Sequence, residues 1–390
     1  QALYELVADR AGVDRSALEA RVPIGTSGQR HSVVKRAVRW HQQTLKRMGV
    51  LEHVDGERGV WQLAQRTRKG LHTPLIGVKL LAFSTNLGAA VWGDCVDVFK
   101  SFDEPIHLVV TSPPYCLAKP RAYGNPSQVE YVDFIVRAME PVVRNLVPGG
   151  SICLNVSNDI FAPGSPARSM YCERLLLALH ERLGLQLMDR LVWDNPSKAP
   201  GPVKWASLER VHLNVSWEPI YWLTNDPARV RADNRRVLEP HTEKHLRLIA
   251  AGGEQRTVSY ADGAYRLHPG RFGMATDGRI PRNVLTRGHR CADTLRYRAD
   301  AAALGLPVHG AVMPISIPDF LIRFLTQPDD MVVDPFGGTV KTGKAAERLG
   351  RRWCVTDTVL EYLRGGAERF REAAGFHMPH QIEAWPREAA

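Results

Sequence analysis

Two short stretches hold the residue types that could do chemistry. The first, Thr111-Ser112-Pro113-Pro114-Tyr115, follows the apolar run Ile106 to Val110, so it is expected where a buried strand ends and its loop begins. Two consecutive prolines fix φ and remove two N–H donors, leaving local carbonyls with no competing amide. Ser112 adds a hydroxyl acceptor and Tyr115 a flat face on which a ring can stack. Acceptors that hold both N–H groups of a nucleobase exocyclic amine free its lone pair to attack. With an activated sulfonium methyl donor such an amine needs no covalent intermediate, and positioning supplies most of the rate. In isolation the same stretch is also a plain proline-rich turn.

The second stretch, Asp334-Pro335-Phe336-Gly337-Gly338-Thr339, lies between an apolar strand and a helix, the setting in which a Gly-rich turn lets a ligand approach backbone. Another strand ends near Asp357, placed to accept from ribose hydroxyls. Alone, this describes any Rossmann-like nucleotide site, and the acidic residue could be structural.

The elements that must position these stretches follow from periodicity. Val91 to Cys95 opens a core, with Gly93-Asp94 about one strand and one helix before Ser112. A helix is expected over 131–147, a strand over 151–156, a helix over 169–183, and an antiparallel pair over 185–193 and 217–223. Further on come a helix over 317–325, strands over 331–333 and 353–355, and helices from 342 and 359. Ahead of this core, residues 2–10 and 14–21 read as short helices, with Asp14 as an N-cap. A basic helix over 30–48 and a hairpin over 50–63 complete three helices and a two-stranded wing.

A chain of 390 residues with 44% hydrophobic content can bury two or three cores, and its net charge of +10 points to an anionic partner. The charge is concentrated: residues 1–80 carry a basic surplus of seven and residues 226–308 a surplus of six. That distribution suits phosphate contacts, with a solvated Arg-rich surface as the alternative. The expected DNA-facing side chains are Arg30, Lys35, Arg36 and Arg39 in the basic helix, Lys119 and Arg121 in the loop after Tyr115, and Arg271, Arg279 and Arg282 in the later segment. The loop over 117–128 could close over substrate or be ordinary surface. Six cysteines without C-x-x-C spacing, no leader-like start and no long apolar run imply a reduced, cytoplasmic protein. Cys116 is read as packing, because Tyr115 separates it from Pro114, and His241 and His245 as a solvated basic helix rather than a zinc site.

Together the two stretches, with Gly93-Asp94, Pro148-Gly149-Gly150-Ser151, Ser216-Trp217-Glu218-Pro219-Ile220 and Ala345 to Arg351, resemble the DNA amino-methyltransferases whose catalytic motif precedes the cofactor motif. The resemblance implies an α/β, Rossmann-like S-adenosylmethionine-dependent methyltransferase fold with permuted motif order and a seven-stranded sheet. It places the cofactor against Asp94, Asp334, Phe336, Gly338, Thr339 and Asp357, and the target base against Ser112, Pro113, Pro114 and Tyr115. It divides the core into a catalytic half at 86–225, an inserted target-recognition region at 226–308 and a cofactor half at 309–373, with a tail at 374–390.

The module at 1–70, through Trp40, Gly49-Val50-Leu51 and Gly59-Val60-Trp61, resembles the amino-terminal winged helix of Mrr-type restriction proteins, with a linker at 71–85. A protein-protein module of the same shape is the alternative. Gly338-Thr339-Val340-Lys341-Thr342 departs from the Gly-Ser-Gly-Thr-Thr of many members. That departure and Ser112, where adenine enzymes usually carry Asp or Asn, are similar to the N4-cytosine branch. N6-adenine methylation and an inactive winged-helix DNA-binding regulator are the other readings, and a cognate restriction endonuclease is a possible partner.

Overall fold

The computed structural model describes residues 2–23, 29–47, 51–54, 59–63, 71–117, 125–310 and 312–383. Met48, Val50, the Asp55-Gly56 turn, Lys119, Arg121 and residues 384–390 lie outside the described residues. The amino-terminal module comprises α1 (Ala2–Arg10), α2 (Arg15–Glu19), an antiparallel ribbon of β1 (Arg21–Pro23) and β2 (Arg30–Ser32), α3 (Val33–Arg47), and a second ribbon of β3 (Leu51–His53) and β4 (Trp61–Leu63). Asp14 caps α2 by accepting from Ser16 N. Ser32 caps α3: its Oγ accepts from Lys35 N at 3.2 Å and donates to Leu18 O at 2.7 Å. The long helix therefore begins at Val33, and Arg30 belongs to a strand. Val34, Val38, Gln42 and Leu45 turn inward at helical spacing, whereas Val33 and Ala37 are exposed.

The rest of the chain is built on one nine-stranded sheet, two strands more than expected. Its elements in order are β5 (Lys79–Ser84), β6 (Gly88–Gly93), α4 (Cys95–Lys100), β7 (Ile106–Thr111), α5 (Tyr131–Arg144), β8 (Leu146–Asn155), α6 (Tyr171–Leu183), β9 (Gln186–Asp194) and β10 (Trp217–Thr224). There follow α7 (Glu243–Ala250), the ribbon β11 (Val258–Tyr260) and β12 (Tyr265–Leu267), β13 (Val284–Thr286) and α8 (Ala292–Ala303). The chain closes with α9 (Ser316–Leu325), β14 (Met331–Asp334), α10 (Lys341–Arg348), β15 (Arg352–Asp357), α11 (Leu360–Ala367) and α12 (His380–Glu383).

The strand order is β13-β9-β10-β8-β7-β14-β15-β6-β5. The five strands from β8 to β6 are parallel and almost wholly apolar, as burial on both faces requires. Leu108 and Val110 of β7 and Val332 of β14 face the layer of α9, α10 and α11, while Val109 and Val333 face α5 and α6. The two motif strands are therefore direct parallel neighbours, with Val332 paired to Leu108 and Val333 to Val109. Chain connectivity reverses there, so both loops open on the same crevice.

Three expected boundaries change. Residues 79–84, expected as linker, form the edge strand β5, antiparallel to β6. The segment over 226–308 is not all insertion: β13 extends the sheet beside β9, and α8 packs on α11 through Tyr297 and Ala301. The expected tail is also anchored, because His377 bridges Ser84 and Met378 and Ile382 are buried in the main core. The strands β5 and β13 and the helix α12 are only three to six residues long, too short to register in a sequence window.

Candidate active site

The carboxyl ends of the parallel strands enclose a cavity of about 1060 Å³. Ser112, Pro113, Pro114 and Tyr115 line it from β7, Asn155 from β8, Phe336 from β14, Asp357 from β15 and Asp94 from β6. The two motifs are joined underneath by Asp334. Its Oδ1 accepts from Thr111 Oγ1 at 2.6 Å and Phe336 N at 3.1 Å, and its Oδ2 from Thr342 Oγ1 at 2.7 Å. Asp334 is buried under the loop instead of lining the cavity, so it acts through Thr111 and Phe336. Burial pushes its carboxyl up to about 6 in spite of those bonds.

The Gly-rich turn is fixed by close approach to β15. Gly337 N donates to Thr356 O at 2.8 Å, and a Cβ there would sit 1.9 Å from Val355 Cγ1. Gly338, at φ +50°, donates its N–H to Asp357 Oδ2 at 2.7 Å, and Val359 N donates to Oδ1 at 2.7 Å. Burial pushes Asp357 up to about 6, against the effect of these two N–H groups. A carboxylate short of solvent and edging onto the cavity is suited to ribose hydroxyls. Asp94 caps α4 through Val96 N at 2.8 Å, with its residue still on the cavity wall. Neither Gly338 nor Thr339 lines the cavity. Thr339 is buried and its carbonyl accepts from Arg369 Nη1 at 2.6 Å.

The departure at Val340-Lys341 has a structural account. Val340 takes the left-handed conformation, φ 60° and ψ 33°, that glycine adopts more readily, and its side chain is fully buried. Lys341 then turns into a buried network: its Nζ donates to Thr294 Oγ1 at 2.6 Å and Met313 O at 3.0 Å, and lies 3.5 Å from Asp293. Asp293 also holds Arg369 at 2.8 and 3.1 Å. Burial lowers Lys341 to about 8. The network ties α8 to the cofactor loop.

At the catalytic motif the sequence left partners unidentified. Tyr115 Oη lies 3.0 Å from Ser112 Oγ, 2.9 Å from Asn155 Oδ1 and 3.0 Å from Glu218 Oε2. Ser112 Oγ also reaches Asn155 Oδ1 at 3.3 Å, while Asn155 Nδ2 donates to Pro219 O at 3.2 Å. Glu218 Oε1 accepts from Lys198 at 3.1 Å. Ser112 and Tyr115 carry one hydroxyl proton each, and the acceptors behind them draw both protons away from the cavity. A lone pair of Ser112 Oγ is left as acceptor. Burial, then the Glu218 carboxylate, pushes the Tyr115 phenol well above its ordinary value, so it stays protonated. Glu218 was visible only as part of Ser216 to Ile220, Asn155 only as the end of a strand, and Lys198 gave no signal. Cys116 is buried with its thiol pushed up to about 11, which suits packing and not nucleophilic attack.

The expected DNA-facing residues separate. Arg36 and Arg39 share an exposed face of α3 with Trp40 and Gln43. Lys35 does not: its Nζ bonds Glu19 Oε1 at 2.5 Å and its side chain is mostly covered. Arg30 Nη2 donates to Arg21 O at 2.9 Å within the ribbon. Arg271 and Arg282 are exposed, whereas Arg279 pairs with Glu239 at 2.6 Å across a backbone bridge. None of these residues lines the cavity. His241 is engaged with Thr276, its Nε2 3.0 Å from Oγ1.

A permuted α/β sheet with a Gly-rich turn, a carboxylate on the cavity wall and a Ser-Pro-Pro-Tyr loop at one crevice defines an S-adenosylmethionine-dependent methyltransferase. The chain belongs to the N6/N4 DNA methylase family, whose model matches residues 106–368. It is 33% identical over 290 residues to the type II methyltransferase M.PvuII of Proteus hauseri, covering 74% of this chain and 85% of that protein. M.BglII of Bacillus subtilis is 26% identical over 272 residues, covering 70% and 65%. Among solved structures, the cytosine-N4-specific PvuII DNA methyltransferase superposes with a TM-score of 0.58 at 31% identity, covering 74% of this chain and 88% of that one. The protein is thus a DNA methyltransferase that uses S-adenosylmethionine. No helix among the described residues is long and apolar enough to cross a membrane.

Proposed function

We propose that the enzyme methylates the exocyclic N4 amine of cytosine in double-stranded DNA, with the base turned out of the duplex into the cavity. The observation that carries this reading is Ser112: a hydroxyl whose proton is drawn inward offers a single neutral acceptor at the strand end where the amine must lie. The likeness to a cytosine-N4-specific enzyme supports the same choice. S-adenosylmethionine supplies a methyl group already activated by its sulfonium. Asp357, itself fixed by the Gly338 N–H, holds its ribose, Phe336 and Asp94 bound its pocket, and Asp334 sets their spacing from Ser112. Ser112 Oγ and a carbonyl of the Pro113-Pro114 turn accept from the amine, and the ring of Tyr115 stacks on the base.

A second reading, N6-adenine methylation, is favoured by the 22% identity over 303 residues to the DNA adenine methyltransferase YhdJ of Escherichia coli. Mass analysis of nucleosides from treated DNA decides between them: N4-methylcytosine is expected, and N6-methyladenine overturns the assignment. The amino-terminal module, through Arg36 and Arg39, and the segment carrying Arg271 and Arg282 add DNA contacts outside the cavity. A restriction endonuclease of the same specificity is the partner that this reading implies.

A further inference from the structure

Transfer of a methyl group to an amine leaves one proton too many on nitrogen. The nitrogen gains the methyl carbon, the carbon–sulfur bond breaks with its electron pair staying on sulfur, and the cationic amine must then lose one of its two original protons. An amine whose nitrogen is attached to a pyrimidine ring is a very strong acid in that state, so an ordinary carboxylate suffices as acceptor. Several carboxylates line the cavity, and one of them, Glu218, is hydrogen-bonded to the hydroxyl pair at Ser112 and Tyr115. Ser112 Oγ, which receives the amine, is 3.0 Å from Tyr115 Oη, and Tyr115 Oη is 3.0 Å from Glu218 Oε2. Glu218 Oε1 is held by Lys198 at 3.1 Å, which fixes the carboxylate and leaves Oε2 aimed at the phenol.

We propose that Glu218 is the terminal acceptor of that proton, reached through the hydroxyls of Ser112 and Tyr115. The amine proton passes to Ser112 Oγ, the Ser112 proton to Tyr115 Oη, and the Tyr115 proton to Glu218 Oε2. Both hydroxyls end with one proton each, and Glu218 ends as the neutral acid. Its side chain edges onto the cavity, so it returns the proton to solvent when the site opens. Tyr115 thereby has two uses, a ring face toward the base and a hydroxyl in the relay. Asn155 Oδ1, 2.9 Å from Tyr115 and 3.3 Å from Ser112, keeps the two hydroxyls in line and accepts no proton itself. In this scheme Glu218 acts on the amine through Tyr115 and Ser112 and is therefore a positioning and relay residue.

This inference rests on amine methylation, and the test separates the two. Single-turnover methylation is measured in the full-length protein for Tyr115→Phe, Glu218→Gln and the double variant, beside the dissociation constants for S-adenosylhomocysteine and cognate DNA. Each single variant is expected to slow transfer at least ~10-fold, at the low end of general acid–base effects, with both dissociation constants within about twofold of wild type. The double variant is expected to be no slower than the slower single one, because one path is cut once. The solvent deuterium isotope effect should rise in both single variants as proton loss becomes limiting. A wild-type rate in Glu218→Gln, or losses that multiply in the double variant, overturns the relay while leaving amine methylation intact. A wild-type protein that transfers no methyl group to DNA overturns the reaction itself.

Discussion

Asp357 offers a prediction whose sign and size both come from its surroundings. Burial pushes its carboxyl from an ordinary 3.8 up to about 6, and Gly338 N and Val359 N offset only part of that cost. Between those two values the folded chain holds a proton that the unfolded chain releases, so this group makes stability fall as pH rises. Over the whole interval the effect is about 3 kcal/mol, of which about 1.4 kcal/mol falls between pH 5 and 7.5. His107 and His289, lowered by burial, act oppositely near neutrality, so the informative quantity is a difference between proteins. Urea unfolding of the cofactor-free wild type and Asp357→Asn at the two pH values should show that the variant's stability declines less by roughly 1–2 kcal/mol. S-adenosylhomocysteine, whose ribose donors favour the ionised carboxylate, should bind wild type more weakly as pH falls below about 6, with a flatter profile in Asp357→Asn. Identical pH slopes for the two proteins in both assays would refute the burial argument and the ribose assignment together.

The buried Lys341-Asp293-Arg369 network predicts an asymmetry. Asp293→Asn leaves two cations without their counter-charge and should cost about 3–5 kcal/mol, whereas Lys341→Met, which leaves Asp293 paired with Arg369, should cost no more than ~1 kcal/mol. Equal losses in urea unfolding would contradict it. Arg36→Ala/Arg39→Ala should reduce the slope of log K for DNA against log salt by about 2 if both reach phosphates, and leave single-turnover methylation unchanged; an unaltered slope removes the module from the DNA interface. The segment from Thr73 to Ile76 lines one wall of the cavity and is pinned at its start, where Glu361 Oε2 accepts from His72 N at 2.9 Å and Glu361 Oε1 bonds the His72 ring. His72→Ala should raise the cofactor KM roughly 10-fold, about 1.4 kcal/mol, with kcat at saturation retained. A fall in kcat at constant KM would place the segment elsewhere.

The sequence by itself determined the two motif strands and the loops that end them. Buried parallel strands read as apolar runs, and Pro-Pro after Val110 and Pro-Phe-Gly-Gly after Val333 disfavour their continuation, so the positions of Ser112 and Phe336 follow from local rules alone. The exposed face of α3 was legible for a similar reason, except at Lys35, where Glu19 captures the side chain from another helix. Only tertiary structure decided the rest. Tyr115 and Glu218 are 103 positions apart and meet because β10 runs antiparallel to β8; no local spacing encodes that contact. Asp334 was assigned to the cofactor by its motif, but strand pairing turns its carboxylate toward Thr111 and Thr342 beneath the loop. The edge strands β5 and β13 and the α8 network escaped for one physical cause. Each is stabilised by what it packs against: β5 is too short to show a period, and β13 and the α8 network depend on partners distant in sequence, which leave none to read.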